Sequence, residues 1–400
     1  MRILHVARYG SIKGGAETYQ AAICEQQRAA GHAVALAFGL DPDPARPEVA
    51  EGVQMTSLVE ARAEASEREV DALLDAIRRF EADVVHVHAP DMAWIAPAAA
   101  TGAPTLLAVH DHTLHCPTGT KYWSHWRRAC TVRPGAWCLG YNLAGGCGSM
   151  RANITLQPYK RWRAARAAAG PLHLQCFSGA MRALLEGAGF DAGRITVTPY
   201  PAPPPVAPVA PAEDDERPVV FANGRLNKQK GFDLLLRALY DVGEDVHLVI
   251  AGHGHERPRL EQLAVRGPRG NRVTFTGWLS PGATAGWYER AAVVALPSGW
   301  VEPFGIVGLE AMSHGVPLVA FDTGGVGEWL ADGETGLMVP RGNTGALGRA
   351  IGDLLRDPAR RREMGEAGRR RVQAEFSLVE HVERLTTLYE NVRRDRGQVA

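Results

Sequence analysis

Two glutamates eight positions apart bracket a glycine-containing turn in the C-terminal half of the chain. The run reads Glu302-Pro-Phe-Gly-Ile-Val-Gly-Leu-Glu310. Gly305 lets the backbone approach a ligand at the start of a predicted helix, whose unpaired amides and positive dipole end favour a phosphate. At a rise of ~1.5 Å per helical residue, the two carboxylates could hold hydroxyl groups on either side of a diphosphate. The alternative is a solvated helix with capping carboxylates, which the glycines of the run disfavour.

A second run places positive charge in a turn between a strand and a helix. It reads Asn223-Gly-Arg225-Leu-Asn-Lys-Gln-Lys230-Gly231. Arg225 offers a fork of donors suited to phosphate oxygens, and Lys230 offers a point charge beside the flexible Gly231. Together they form a candidate diphosphate clamp. Taken alone, a basic turn of this kind is more often simply solvated.

Two weaker signals lie in the N-terminal half. Gly14 and Gly15 follow the first predicted strand and open a helix, where glycine amides can meet an anion, although such a pair often serves close packing. The glycine pattern of dinucleotide-binding proteins is absent, which argues against a nicotinamide enzyme. His110 stands at the carboxyl end of an apolar strand, the edge at which open α/β sheets bind ligands. We therefore expect His110 to face the active site.

Strands and helices alternate along the chain in two series, which predicts an α/β protein with two Rossmann-like domains enclosing a cleft. We expect an N-terminal domain over 1–198, a stiff proline-rich linker over 199–217 and a C-terminal domain over 218–376. An amphipathic helix over 377–400 follows. No hairpin signal is evident.

Composition excludes several classes of protein. The chain has 400 residues, 46% of them apolar, and 44 basic residues balance 44 acidic ones. This balance gives no indication of disorder or of nucleic-acid binding. No apolar run has the ~20 residues that a membrane span needs, and the N-terminus is typical of a strand, so we expect a cytoplasmic protein.

The zero net charge hides a basic segment. Between His112 and Leu185 there are ten Lys and Arg residues and no Asp or Glu. Tryptophans lie among these cations, notably within 121–166, which suits an anionic acceptor or contact with the inner face of an anionic membrane. A solvated basic face is the alternative.

Four cysteines, Cys116, Cys130, Cys138 and Cys147, fall in a loop-rich insert at about 112–170. Structural zinc would suit such an insert, but the spacing contains no Cys-x-x-Cys pair. Zinc, disulfides and unlinked thiols therefore all stay open.

Taken together, the Gly14-Gly15 pair, His110, Arg225 with Lys230, and the Glu302/Glu310 pair resemble the motifs of GT-B-fold, retaining glycosyltransferases of family 4. The resemblance runs over nearly the whole chain. It implies that the C-terminal domain binds a nucleotide-sugar, such as a UDP- or GDP-sugar, and that the N-terminal domain binds a glycan or lipid-linked acceptor. It also implies that no metal cofactor is required and that the last helix crosses back to the N-terminal domain.

The resemblance further implies roles for individual residues. Arg225 and Lys230 would neutralise the departing diphosphate, assisted by backbone amides. Glu310 would accept from the ribose, Glu302 from the transferred sugar, and His110 would contact the sugar and the acceptor. The backbone amides that assist at the diphosphate would be those of Gly14, Gly15, Phe304, Gly305, Ile306 and Val307. The strand and loop around Gly277 would contact the base of the nucleotide.

Two other functions fit parts of the pattern. One is a nucleotide-sugar epimerase of the same architecture, which would need further acid and base carboxylates and no acceptor. The other is a catalytically silent carbohydrate-binding protein, against which the intact set of five charged and histidine residues argues.

Overall fold

The computed structural model describes residues 1–9, 14–40, 54–57, 67–88, 98, 101–147, 152–211, 216–266 and 273–397. The chain divides into two compact units. Unit 1 comprises residues 1–120, 132–203 and 378–400, and unit 2 comprises residues 121–131 and 204–377.

The strands in chain order are β1 (Arg2–Tyr9), β2 (Ala33–Leu40), β3 (Gln54–Ser57), β4 (Val84–Val87), β5 (Thr105–Val109), β6 (Tyr122–Trp123), β7 (Arg128–Ala129), β8 (His173–Cys176), β9 (Ile195–Val197), β10 (Val219–Asn223), β11 (His247–Ala251), β12 (Val273–Gly277), β13 (Ala291–Leu296), β14 (Leu318–Asp322) and β15 (Gly336–Pro340). The α-helices are α1 (Gly15–Ala29), α2 (Glu67–Phe80), α3 (Trp137–Ala144), α4 (Ala152–Ala169), α5 (Gly179–Gly187), α6 (Phe232–Ala238), α7 (Arg257–Arg266), α8 (Pro281–Arg290), α9 (Ile306–Ser313), α10 (Val326–Trp329), α11 (Thr344–Arg356), α12 (Pro358–Glu375) and α13 (Leu378–Gly397).

Unit 1 is built on a parallel seven-stranded sheet in the order β3-β2-β1-β4-β5-β8-β9. Its central strands are largely apolar, with buried histidines in β1 and β4, as expected where helices cover both faces of a parallel sheet. All side chains of β4 and β5 are buried. The sequence-based prediction of an α/β fold is confirmed for this half.

Unit 2 is built on a parallel six-stranded sheet in the order β12-β11-β10-β13-β14-β15. The two central strands, β10 and β13, are neighbours although about seventy residues separate them. Because parallel neighbours end at the same edge, the loops that follow β10 and β13 meet there, at the topological switch point. These are the loops that carry Lys230 and Glu302.

Two parts of the chain differ from the expected organisation. The antiparallel pair β6–β7 is a hairpin where none was predicted, because its two-residue strands carry no alternating pattern, and residues 121–131 group with unit 2 rather than with the N-terminal insert. The expected linker also divides between the units. Tyr200 is buried in unit 1, whereas the Val209 amide donates to the Gly282 carbonyl in unit 2 at 2.9 Å. Residues 212–215 of that linker lie outside the described residues.

The last helix, α13, packs on the core of unit 1. Its Tyr389 is fully buried, and the hydroxyl lies 2.8 Å from His86 Nδ1 and accepts from Gln27 Nε2 at 3.0 Å. His86 in turn lies 3.0 Å from Gln175 Oε1 through Nε2. The helix is thus held through polar groups that belong to α1, β4 and β8.

A chain of imidazoles crosses the same core. The distances are 2.8 Å from Gln27 Oε1 to His5 Nε2, 2.9 Å from His5 Nδ1 to His88 Nε2, and 3.1 Å from His88 Nδ1 to His110 Nε2. Because an amide oxygen only accepts, His5 carries its proton on Nε2, and the same alternation follows along the chain. His110 therefore donates from Nε2, and its Nδ1 accepts from the Tyr200 hydroxyl.

We predict that Tyr389→Phe lowers the free energy of unfolding by about 1–3 kcal/mol, because it leaves buried donors and acceptors of Gln27 and His86 without their partner. Urea unfolding measures this loss. The matched control is Tyr240→Phe, since Tyr240 is 62% exposed in unit 2, and it should stay within about 0.5 kcal/mol of the wild type. Equal effects of the two substitutions would contradict this account of α13.

The buried histidines also predict acid sensitivity. Burial lowers the pKa of His5 to about 4, of His110 to about 3 and of His381 to about 4. Each is neutral in the folded state but takes up a proton below its ordinary pKa of ~6.5 when unfolded, so its contribution to stability is complete above pH 6.5 and is lost as the pH falls toward 4. Each histidine contributes a slope of about 1.4 kcal/mol per pH unit within that window.

Urea unfolding between pH 7.5 and 4.5 measures this slope. His381→Gln removes one of the titrating groups, since an amide oxygen can accept from Tyr19 in place of Nε2. The free energy of unfolding of the variant should depend less steeply on pH, because about one proton fewer is taken up on unfolding. Identical slopes for the two proteins would contradict the assignment.

Candidate functional site

An ion pair joins the two loops at the switch point of unit 2. Lys230 Nζ lies 2.8 Å from Glu302 Oε1 and 2.9 Å from Oε2. Lys230 closes the short 3₁₀ turn Lys228–Lys230 after β10, where the Asn227 side chain accepts from the Lys230 amide at 3.1 Å. The sequence placed both residues in the site but assigned them separate ligands. The structure brings them into direct contact.

Glu302 is held on every side by donors. Besides Lys230, the Ser298 hydroxyl donates to Oε2 at 2.6 Å and Trp300 Nε1 donates to it at 2.9 Å. The residue is 4% exposed. Burial alone would raise the pKa of Glu302, but the Lys230 ammonium and these hydrogen bonds lower it below its ordinary value. Glu302 is therefore an ionised acceptor at neutral pH and no proton donor.

Glycines allow the loops of the site to touch. Gly231 has φ +68°, and a Cβ there would lie 2.0 Å from the Pro297 carbonyl oxygen. Gly324 has φ +58°, and a Cβ there would lie 2.1 Å from the carbonyl oxygen of Glu302. A side chain at either position would clash with the neighbouring backbone and push the two loops apart. The distance between Lys230 and Glu302 would then change.

Helix α9 begins directly after this pair. Its N-cap, Gly305, has φ 98° and provides no side-chain cap, so the first-turn amides of Ile306 and Val307 have no side-chain acceptor from the cap. Phe304 is buried and its carbonyl accepts from Trp329 Nε1 at 2.6 Å, which fixes the entry to the helix. The expected helix start is thus present at this sheet edge, and its binding of an anion stays a prediction.

Glu310 lies on α9 and is tied to a neighbouring tyrosine. The Tyr288 hydroxyl donates to Glu310 Oε2 at 2.7 Å, and Tyr288 also hydrogen-bonds the side chain of Asn223 at the end of β10. Burial raises the pKa of Glu310 above its ordinary value, and the bond from Tyr288 opposes this shift. The carboxylate keeps one oxygen for a further donor.

The remaining predicted residues of unit 2 lie on the same edge of the sheet. Arg225 is exposed in the loop after β10, beside Leu226, whose amide donates to the His253 carbonyl at 2.8 Å. Gly277 ends β12 with φ +75°, and its carbonyl accepts from the Gly252 amide at 2.7 Å. Among the described residues, no hydrogen bond joins Arg225 or Gly277 to the Lys230–Glu302 pair.

The predicted residues of unit 1 are Gly14, Gly15 and His110. Gly14 precedes α1 in an extended conformation, and its carbonyl accepts from the Thr18 amide at 3.0 Å. His110 follows β5 as predicted, but both of its ring nitrogens are already hydrogen-bonded, to His88 and Tyr200. A side-chain contact to a substrate would have to replace one of these bonds. These bonds could not be predicted from the sequence, because the partners lie 22 and 90 residues away.

Among the described residues, one group of three or more His, Cys, Asp or Glu side chains has its ligand atoms within 4.8 Å of one another: His5, His86 and His88. All of their ring nitrogens take part in the hydrogen bonds described above, so the group fits a polar core better than a metal ion. Cys116, Cys130, Cys138 and Cys147 are not part of this group. Zinc at these cysteines stays a prediction from the sequence, beside the alternatives of disulfides and unlinked thiols.

The basic insert exposes large apolar side chains in unit 1. Trp137 on α3 is 69% exposed, and Leu156 on α4 is 45% exposed. A cavity of about 570 Å³ lies between α4 and the turn after α5. Its lining includes Tyr159, Trp162, Arg163, Arg166 and Phe190. No helix in the described part of the chain is long and apolar enough to cross a membrane.

Curated relatives match parts of the chain. Alpha-D-kanosaminyltransferase of Streptomyces kanamyceticus is 37% identical over 182 residues, which are 44% of this chain and 47% of the relative. A GDP-mannose-dependent alpha-(1-6)-phosphatidylinositol monomannoside mannosyltransferase of Mycolicibacterium smegmatis is 38% identical over 163 residues, 38% of this chain and 43% of the relative. The match thus spans about half the length of these relatives.

Solved structures match nearly the whole chain at low identity. Sucrose-phosphate synthase of Thermosynechococcus elongatus superposes with a TM-score of 0.72 at 24% identity, over 98% of both chains. Anabaena HepE in complex with UDP-glucose superposes with a TM-score of 0.73 at 19% identity, over 97% of this chain and 99% of that one. These likenesses concern the fold.

Family models account for both halves. Residues 13–202 match the model of Glycosyltransferase Family 4, and residues 207–371 match the model of Glycosyl transferases group 1. The first match lies in the half that carries His110, and the second contains the Lys230–Glu302 pair and Glu310. The chain therefore carries a Glycosyltransferase Family 4 domain and a Glycosyl transferases group 1 domain, in two parallel-sheet α/β units of the GT-B type.

Proposed function

We propose that the chain transfers a sugar from a nucleoside diphosphate sugar to an acceptor, with retention at the anomeric carbon. The observation that carries the proposal is the Lys230–Glu302 pair at the switch point of unit 2, directly before the N-terminus of α9. An ammonium, an exposed guanidinium at Arg225 and helix amides at one sheet edge suit a diphosphate. Similar proteins support this chemistry, since one relative is a GDP-mannose-dependent mannosyltransferase and one structural neighbour is in complex with UDP-glucose.

In the proposed reaction the diphosphate replaces Glu302 as the partner of Lys230. The bond between the anomeric carbon and the diphosphate oxygen breaks, the acceptor oxygen bonds to the same face of that carbon, and the acceptor proton goes to the leaving diphosphate. Lys230 and Arg225 stabilise the charge that develops on the leaving group. Glu302 then accepts from sugar hydroxyls and Glu310 from the ribose. Lys230 and Arg225 supply the positive charge that this step needs, so the proposed step uses no metal ion.

Unit 1 would recruit the acceptor, and its basic segment favours an anionic one. Exposed aromatic and apolar residues such as Trp137 and Leu156 accompany Lys160 and Arg161, in a segment without acidic residues. A lipid-linked or other anionic acceptor in surface polysaccharide or glycoconjugate synthesis suits this surface. The protein would then work at the inner face of the cytoplasmic membrane.

The donor assignment predicts that Lys230→Met lowers turnover of the accepted donor by about 10²–10³, the usual cost of losing a group that stabilises the leaving charge. Release of the nucleoside diphosphate from UDP- and GDP-sugars measures it. Lys228→Met is the matched control, because Lys228 is an exposed lysine of the same turn. Equal turnover in wild type and Lys230→Met would overturn the catalytic assignment. Conversion of the donor to an isomeric nucleotide-sugar would instead identify an epimerase.

Binding is tested separately by thermal unfolding in the presence of UDP, GDP and their sugars. A nucleotide at ~100 times its Kd should stabilise the folded state by about 2.7 kcal/mol. We expect the nucleotides of one base, uracil or guanine, to raise the Tm of the wild type. Glu310→Gln should make this rise in Tm smaller. If no UDP or GDP compound raises Tm, the proposed donor class is wrong.

The acceptor surface predicts sedimentation with vesicles that contain anionic phospholipid and little with neutral vesicles, weakening as salt rises. Trp137→Ser should reduce the bound fraction several-fold. Tyr240→Ser, a substitution of an equally exposed ring in unit 2, should not. Equal binding to neutral and anionic vesicles, or no binding to either, would contradict the membrane-borne acceptor.

A further inference from the structure

The hairpin β6–β7 has no role in the function proposed so far. It interrupts unit 1, since residues up to Thr120 and from Val132 belong to that unit while 121–131 belong to unit 2. Tyr122 pairs with Ala129 and Trp123 with Arg128, and the Cys130 amide donates to the Lys121 carbonyl at 2.8 Å.

The tip of the hairpin is anchored to the loop that carries Lys230. Arg127, in a left-handed conformation with φ +51°, forms an ion pair with Asp233. Asp233 is 3% exposed and lies in the first turn of α6, directly after Lys230, Gly231 and Phe232. Arg259 on α7 is farther from the same carboxylate oxygen, at 3.9 Å. Removing the Arg127 guanidinium would leave the buried Asp233 carboxylate poorly paired, so breaking this anchor is costly.

The first strand of the hairpin lies against the loop that carries Glu302. Tyr122 is 1% exposed. A Cβ on Gly299 would lie 3.4 Å from the Tyr122 hydroxyl oxygen and 3.5 Å from its Cε2, which is ordinary packing contact. The Gly299 amide donates to the Gln229 carbonyl at 2.8 Å, so Tyr122 covers the point where the two loops are already joined. Trp300 and Glu302 follow within three residues.

Two tryptophans and an arginine of the hairpin pack against one another. The rings of Trp123 and Trp126 lie 5.0 Å apart, and the Arg128 guanidinium lies 5.1 Å from the first ring and 5.5 Å from the second. The described contacts of Arg128 are thus with the tryptophans of the hairpin and not with the donor loops. Arg127 and Tyr122 contact the elements that carry Lys230 and Glu302.

We propose that the hairpin is a clamp across the two donor loops, and that Arg127 and Tyr122 are positioning residues for recognition of a nucleoside diphosphate. The proposal rests on the proposed function of the Lys230–Glu302 site. Arg127 holds the start of α6 and Tyr122 holds Gly299, so the clamp sets the distance between the Lys230 ammonium and the segment from Glu302 to the first turn of α9. Without the clamp, the two loops would have to become ordered when the diphosphate binds. The free energy spent on ordering them would raise the Kd of the nucleotide.

The test is calorimetric titration of the full chain with UDP and GDP. Arg127→Met should raise the Kd of the preferred nucleotide about tenfold, and Tyr122→Ala should do the same. Tyr122→Phe keeps the ring and should stay within about threefold of the wild type. Arg128→Met is the matched control on the same hairpin and should bind as the wild type does. In donor turnover, KM for the donor should rise by more than kcat falls.

Loss of stability is separated from loss of positioning by the double variant Arg127→Met/Asp233→Asn. It removes the buried charge that Arg127→Met leaves poorly paired, so Tm should recover toward the wild-type value. The nucleotide Kd should nevertheless stay about tenfold raised, because the anchor is still absent. Wild-type Kd in this double variant, or an equal loss in Arg128→Met, would overturn the clamp.

Failure of the clamp and failure of the proposed function give different results. If the wild type binds UDP or GDP and Lys230→Met loses turnover, while Arg127→Met and Tyr122→Ala keep wild-type Kd, only the clamp is wrong. If the wild type binds neither nucleotide, both are wrong.

Discussion

Everything at the site of unit 2 depends on keeping a buried carboxylate ionised. Glu302 has almost no contact with water, so it remains charged only because Lys230, Ser298 and Trp300 surround it with donors. Removing Lys230 outright would leave Glu302 buried without its counter-charge, so the pair can separate only when other donors, such as sugar hydroxyls, reach the carboxylate. The arrangement therefore fixes the ammonium of Lys230 at the sheet edge before any ligand arrives. In the proposed function, a diphosphate then binds an ammonium group that is already held in place.

The same constraint explains the backbone around the pair. Loops after β10, β13 and β14 converge because these strands are neighbours in the sheet. Gly231 and Gly324 let their backbones touch. The hairpin β6–β7 then adds Arg127 and Tyr122 from a distant part of the sequence. In unit 1 a comparable density of polar groups serves a different purpose, since the buried imidazoles satisfy one another and anchor α13 through Tyr389.

Much of this organisation could be predicted from the sequence. Apolar runs alternating with helical spacing predict both parallel sheets, and the glycines and charges near Lys230 and Glu302 predict an anion site at a strand edge. Pairing between side chains could not be predicted, because the Lys230–Glu302 contact depends on β10 and β13 becoming neighbours. The bonds that occupy His110 are equally long-range. One signal was available for the clamp: Asp233 lies in the apolar run Phe232–Leu236, and a buried acid there requires a distant cation.

The central claim is that Lys230 exchanges Glu302 for a diphosphate, and a crystal structure of the chain with UDP or GDP tests it most directly. The account predicts a phosphate oxygen within hydrogen-bond distance of Lys230 Nζ, close to the first amides of α9. Glu302 should keep its bonds from Ser298 and Trp300 while its other oxygen becomes available to a sugar. A nucleotide bound elsewhere, with the Lys230–Glu302 contact unchanged, would contradict the account.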